Sequence, residues 1–196
     1  MHDTDDRILD AALRLFQETG LHGATTRRIA EEAGVNEVTL FRRFGSKEHL
    51  LHEAISRGVQ QEGFTPLPKQ PEDPEVELIR WVAEHMAALR RMRQVLRKAI
   101  GEFEAHPQLC ASTRTGPYQA ADELYGYLSR LRQSALAPGD WDPHAATALL
   151  MGVVFNDAMH RDVMPDMYPY PVEVAPQRYV GLFLRALGVS TDRRET

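Results

Sequence analysis

The segment 25–51, TTRRIAEEAGVNEVTLFRRFGSKEHLL, restricts what this chain can fold into more than any other part of it. It spells two short helices joined at a glycine, with a third close behind. Thr25 or Thr26 can cap the first, because a threonine oxygen accepts from an N–H group that the first turn leaves unpaired. Ile29, Ala30 and Ala33 give that helix one small apolar face. Gly34 ends it at low cost, since glycine enters the positive-φ region freely. Asn36 caps the second helix, and Leu40, Phe41 and Phe44 are expected along its inner side. Ser46 opens the third. The order Ala30, Gly34, Leu40 lets two helices meet at a steep angle. That pattern is a helix-turn-helix, whose second helix fits the major groove of DNA.

Charge supports this reading by placement and not by sum. The 196-residue chain carries a net charge of −5, and residues 1–62 hold eight basic against eleven acidic side chains. Yet Arg27, Arg28, Arg42, Arg43 and Lys47 all fall on the proposed contact elements. Screening confines charge effects to roughly 8–10 Å, so local position outweighs the total. Modest DNA affinity per head follows, and with it a need for dimerisation.

The remaining segments read as helices, with no alternating strand pattern. An all-α chain of about nine helices is predicted. The first helix runs over about 4–19, with Ile8, Leu9, Ala12, Leu13 and Phe16 buried and Gly20 as its stop. The proline-rich segment FTPLPKQPEDP breaks the chain after about residue 61, and Asp73-Pro74 starts a helix as cap plus first-turn proline. A sixth helix is expected over 92–105, a seventh from Pro117, an eighth from Asp142-Pro143 to about Met164, and the last over 177–187. Two domains are expected: residues 1–50 for DNA and 51–196 as a helical ligand-binding and dimerisation domain. Hydrophobic content of 43% suffices for a packed core. The lone Cys110 excludes an intrachain disulfide, and the most apolar run, 145–155, falls short of the about 20 residues that span a bilayer. A cytoplasmic protein with no membrane partner and no cofactor is expected.

The spacing Thr26-x-x-Ile29-Ala30-x-x-Ala33-Gly34-Val35, then Thr39-Leu40-Phe41-x-x-Phe44-x-Ser46-Lys47-x-x-Leu50, resembles the N-terminal domain of the TetR family of transcriptional regulators over roughly residues 5–57. The resemblance implies a homodimeric regulator, most often a repressor, that a small molecule releases from a palindromic duplex DNA operator. It implies DNA contacts from Thr26, Arg27, Arg28, Asn36, Glu37, Val38, Thr39, Phe41, Arg42, Arg43 and Lys47. Two positions depart from the family. A tyrosine whose hydroxyl reaches a phosphate is usual where Phe41 stands, and Gly, Ala or Pro is usual where Val38 stands. For each of these side chains a solvated surface is the alternative.

In the second half, apolar side chains at helical spacing with polar neighbours mark a candidate site for a largely apolar effector: Phe64, Trp81, His85, Met86, Phe103, Tyr118, Tyr125, Met151, Phe155, Asn156 and Met159. Such a stripe serves equally as plain core. The segment AATALLMGVVFNDAM is apolar almost all round, so one face needs a second partner. Ala145, Ala148, Leu149 and Gly152, with Tyr179, Leu182, Phe183 and Ala186 from the last helix, are the candidate dimer interface. The i, i+3 pairs Asp157/His160 and His49/His52 lack a third partner nearby, so no metal site and no enzyme is expected. A regulator acting through protein partners, without a small-molecule inducer, is the alternative function.

Overall fold

The computed structural model describes residues 2–60, 64–105 and 117–189, with the backbone alone at 2, 3, 59, 60, 102–105 and 117. The described residues form eight α-helices and no strand: α1 (His2–Gly23), α2 (Thr26–Ala33), α3 (Glu37–Phe44), α4 (Lys47–Gln60), α5 (Pro74–Ala105), α6 (Pro117–Gln133), α7 (Pro143–His160) and α8 (Ala175–Ala186). A single 3₁₀ turn, Pro165–Met167, lies between the last two.

Local signals set the helix ends. Thr25 is the cap of α2 and accepts from Arg28 N–H at 3.3 Å, a contact worth about 1 kcal/mol. Gly34 closes the same helix at φ 65°, ψ 40°, and its N–H returns to Ala30 and Glu31 carbonyls. Asn36 caps α3 through Val38 N–H at 2.8 Å, and Ser46 caps α4 through His49 N–H at 3.0 Å. Asp142 with Pro143 starts α7, the side chain accepting from His144 N–H at 2.8 Å. Gly20, at φ 73°, breaks the helical path of α1 before its last turn, which continues to Gly23.

Two expectations about helices are corrected. The fifth and sixth helices are one, α5, because nothing between Leu89 and Met92 breaks a helix: the junction is Arg90-Arg91, with no Gly and no Pro. The helix expected to reach Met164 ends at His160, where the chain turns into the 3₁₀ segment.

The chain divides into two compact units. One comprises residues 1–62 and 91–116, so the second part of α5 packs with α1–α4. Its core joins Ile8, Leu15, Phe16, Ile29, Leu40, Phe44, Leu50 and Ile55 to Met92, Val95 and Ala99. The other comprises residues 63–90 and 117–196, and its core is built on Leu78, Trp81, Val82, Leu124, Tyr127, Leu131, Leu150, Val154 and Leu184.

In the second unit the proline-rich segment is strapped down by carboxylates. Glu84 accepts from Thr65 N–H and hydroxyl at 2.9 and 3.0 Å. Glu123 accepts from Leu67 N–H at 2.7 Å and Trp81 Nε1 at 3.2 Å. Glu77 accepts from Glu72 and Asp73 N–H groups and from the Tyr127 hydroxyl at 2.6 Å. Backbone N–H groups that no helix pairs are satisfied in this way.

Candidate nucleic-acid interface

The recognition helix α3 presents two different sides. Leu40 and Phe44 are buried against the rest of the first unit. Val38, Phe41 and Arg42, at i, i+3 and i+4, share the opposite, exposed face. Phe41, expected on the inner side, is 46% exposed, because the 100° step of a helix carries it away from the Leu40/Phe44 stripe. Val38 is 72% exposed at the front of the helix. Thr39 is half-buried at the flank and Asn36 caps the start.

The cations near this face differ in their commitments. Arg42 is exposed and has no hydrogen-bond or ion-pair partner among the described residues. Arg43 is paired with Asp5 at the start of α1. Lys47 donates to the Leu21 carbonyl at the end of α1. Arg28 donates to the Gly23 carbonyl at 2.9 Å. Arg27 is exposed and pairs with Glu31 at 3.0 Å, and that hydrogen bond raises its pKa. Glu37 accepts from the Thr26 hydroxyl, which ties α3 to α2. Arg43 and Lys47 therefore tie α3 and α4 to α1, and Glu37 ties α3 to α2, while Arg42 is available for an outside partner. An i, i+3 or i+4 count shows which side chains face out. It does not show that Asp5, 38 residues upstream, holds Arg43.

The expected effector residues do not come together as one set. Trp81, Met86 and Met159 are fully buried. His85 lies between the rings of Phe64 and Trp81, at centroid distances of 4.2 and 3.9 Å. Its Nδ1 is 2.8 Å from the Trp81 carbonyl, which can only accept, so Nδ1 carries the hydrogen. Burial pushes its pKa down. Tyr125 stacks on His144 at 4.1 Å, Met151 packs at the edge of the core, and Tyr118 is exposed. Asn156 is exposed and donates to the Gly152 carbonyl at 2.9 Å, with Phe155 exposed beside it. The Phe103 side chain lies outside the described residues. An open groove of about 550 Å³ lies in the first unit, lined by Arg7, Asp10, Leu13, Arg14, Gln17, Glu32, Ala33 and Gly34; none of the expected effector residues lines it.

On α7 and α8 the apolar surface is split. Ala146, Leu150 and Val154 face the core, whereas Ala145, Ala148 and Leu149 are exposed and Gly152 is half-exposed. On α8, Leu182 and Ala186 are exposed. Phe183 is in the core of its own unit and Tyr179 is half-buried.

Asp157 is fully buried and is held by Arg161, with Nε–Oδ1 at 2.8 Å and a second contact from Nη2. The Tyr179 hydroxyl donates to its Oδ2 at 2.5 Å. Arg161 also donates to the Tyr168 carbonyl at 2.9 Å and to that of Tyr170. Asp157, without His160, thus belongs to a structural clamp that joins α7, the segment 168–170 after the 3₁₀ turn, and α8. Arg161, at i+4 from Asp157, was a legible partner that sequence reasoning passed over. His160 Nδ1 lies 3.1 Å from the Asn156 carbonyl, and His49 Nε2 lies 3.7 Å from Glu53. Among the described residues no group of three metal-ligating side chains occurs, and no helix is long and apolar enough to cross a membrane.

A helix-turn-helix that offers an exposed, arginine-bearing face, in an all-helical chain, defines the class of DNA-binding regulators. The sequence model of the bacterial regulatory proteins of the tetR family matches residues 8–54. The tetracycline repressor protein class D of Escherichia coli is 41% identical over 173 residues, 87% of this chain and 74% of that protein. The uncharacterized HTH-type transcriptional regulator YvkB of Bacillus subtilis (strain 168) is 26% identical over 98% of this chain and 100% of its own length. The fold is shared with the flavonoid-responsive regulator FrrA, at TM-score 0.73 and 23% identity over 95% of this chain and 97% of that one. It is shared also with a TetR transcriptional regulator from Agrobacterium tumefaciens, at TM-score 0.68 and 22% identity over 93% of each chain. The chain belongs to the TetR family of transcriptional regulators.

Proposed function

We propose that this protein is a homodimeric, ligand-responsive repressor that binds a palindromic operator through α3 and leaves it when a small molecule occupies the second unit. The observation that carries the DNA-binding part is the outward set Val38, Phe41 and Arg42 on a short helix locked in place by Asn36, Leu40 and Phe44. A two-fold dimer offers two such heads, and its site has matching symmetry. The exposed faces of α7 and α8 supply the dimer contact, because apolar groups of that size gain by leaving water. Effector and DNA are coupled only through their different affinities for two conformations of the dimer.

Response to a small molecule is supported by the relatives: one is a tetracycline repressor and one structural neighbour a flavonoid-responsive regulator. A second reading, a regulator that works through protein partners, is favoured by the dense packing of Trp81, Met86 and Met159, three of the expected effector residues. Selection of duplexes from a random library tests the DNA-binding reading, and failure to enrich any palindrome defeats it. Calorimetric titration with apolar and aromatic compounds, followed by release of the selected duplex, separates the two readings. Binding that releases DNA supports the ligand-responsive one.

A further inference from the structure

The outer face of α3 is unusual for a helix whose other neighbours are charged. Its two exposed apolar side chains, Val38 and Phe41, can neither donate nor accept a hydrogen bond. They stand one turn apart on one face, with Arg42 beside them. Glu37, the acid nearest Val38 in the chain, is turned back to the Thr26 hydroxyl. An apolar pair cannot read a phosphate or a polar base edge. Of the groups that a major groove presents, the C5-methyl of thymine is the apolar one.

We propose that Val38 and Phe41 form a contact for thymine methyl groups, so that each operator half-site holds a thymine whose methyl is required for tight binding. This rests on the DNA-binding reading above. Arg42 favours a polyanion over an apolar protein partner, since it shares the exposed face and has no partner of its own among the described residues. Val38, at the first turn, meets the methyl group; Phe41 lies alongside and excludes water from it.

The test uses the full chain and a duplex selected from a random library. Each thymine of the selected site is then replaced by deoxyuridine, which removes the methyl and leaves every hydrogen-bonding group. At one position of a half-site the replacement should weaken binding roughly fourfold, and roughly fifteenfold when made in both half-sites, the value of burying one methyl-sized group each time. In Val38→Ser that sensitivity should disappear, with helix content and thermal midpoint as in the parent, because the side chain is already in solvent. If Val38→Ser fails to fold, the deoxyuridine series on the parent protein still decides. A selected site that has no thymine in common, a deoxyuridine duplex bound as tightly as the parent duplex, or a Val38→Ser protein that keeps the full sensitivity overturns the proposal. Failure to select any site defeats the DNA-binding reading itself, a different result from these three.

Discussion

Arg43, on the last turn of the recognition helix, is ion-paired with Asp5 in the first turns of α1. A short way along, Arg57 of α4 reaches Asp6 at 3.3 Å and Asp10 at 3.7 Å. Acids of one helix thus hold basic residues of two others. The first unit needs this because α3 has only eight residues, too few to hold its shape without packing. Asp5→Asn and Arg43→Ala should each lower the stability of the first unit by up to about 1 kcal/mol, given that both side chains are partly exposed. A double-mutant cycle by thermal unfolding reads the coupling. Additive losses would show that the pair contributes nothing of its own.

Arg42 is one residue away and behaves differently. Its side chain is exposed and without a partner among the described residues, so Arg42→Ala should leave stability within about 0.5 kcal/mol. Specific DNA binding should weaken by about 1–3 kcal/mol if the guanidinium reads a base. Fluorescence anisotropy on the selected duplex and on a scrambled one measures this. Equal losses on both would assign Arg42 to phosphate.

The contrast shows what could be read from sequence. Thr25, Asn36, Ser46 and Asp142 accept from N–H groups within a few residues, and Gly34 donates its own N–H to the carbonyls of Ala30 and Glu31, so these helix ends are legible from their neighbours. The pairing of Arg43 with Asp5 spans 38 residues and depends on packing that no local pattern encodes. The expected break between residues 89 and 92 is absent because the Arg90-Arg91 junction holds no Gly or Pro, and charge alone does not end a helix. Trp81 and Met86 illustrate a third limit. Apolar side chains at helical spacing look the same in a core and in a ligand site, and only burial tells them apart.

The clamp on Asp157 makes a sharp prediction. Arg161→Met removes the cation from a fully buried carboxylate and frees the carbonyls of Tyr168 and Tyr170. An unpaired buried charge costs about 3–5 kcal/mol. Tyr179→Phe, which removes one hydrogen bond to a charged group, should cost about 1.5–3 kcal/mol. Urea unfolding ranks the two, and a smaller loss for Arg161→Met than for Tyr179→Phe would refute this account.

Stability should fall in mild acid. Burial depresses the folded pKa of His85 below its ordinary 6.5, against the opposing pull of Glu123 and Glu84. Between the depressed value and 6.5 the unfolded chain binds more protons than the folded one, so stability rises with pH in that window. It is lost as pH drops through 6.5 toward the folded value. His52, in the other unit, is depressed in the same direction by burial and by His49. Comparing urea midpoints at pH 7.5 and 5.5 should show the drop. His85→Phe keeps a ring between Phe64 and Trp81 and should shrink it, and an undiminished drop in that variant would clear His85 of the effect.

Gly152 decides whether α7 is a dimer helix. A Cβ placed there would have no heavy atom within 4 Å outside its own turn, so the protomer has room for a side chain. Ala145, Ala148 and Leu149 on α7 are exposed, and so is Leu182 on α8. Two such faces brought together by a two-fold axis would place Gly152 where the helices come close. Gly152→Leu should then leave the folding of each protomer intact, since it also removes a helix-interior glycine worth about 1 kcal/mol. At the interface the same change should overpack by about 1–3 kcal/mol per site, applied twice by symmetry. Dimer dissociation should rise, and DNA affinity should fall with it, because one head makes few contacts. Analytical ultracentrifugation at micromolar concentration reads the first effect and anisotropy on the selected duplex the second. A parent protein that sediments as a monomer would remove the dimer from this account, and a Gly152→Leu protein that dimerises as the parent does would place the interface on another face.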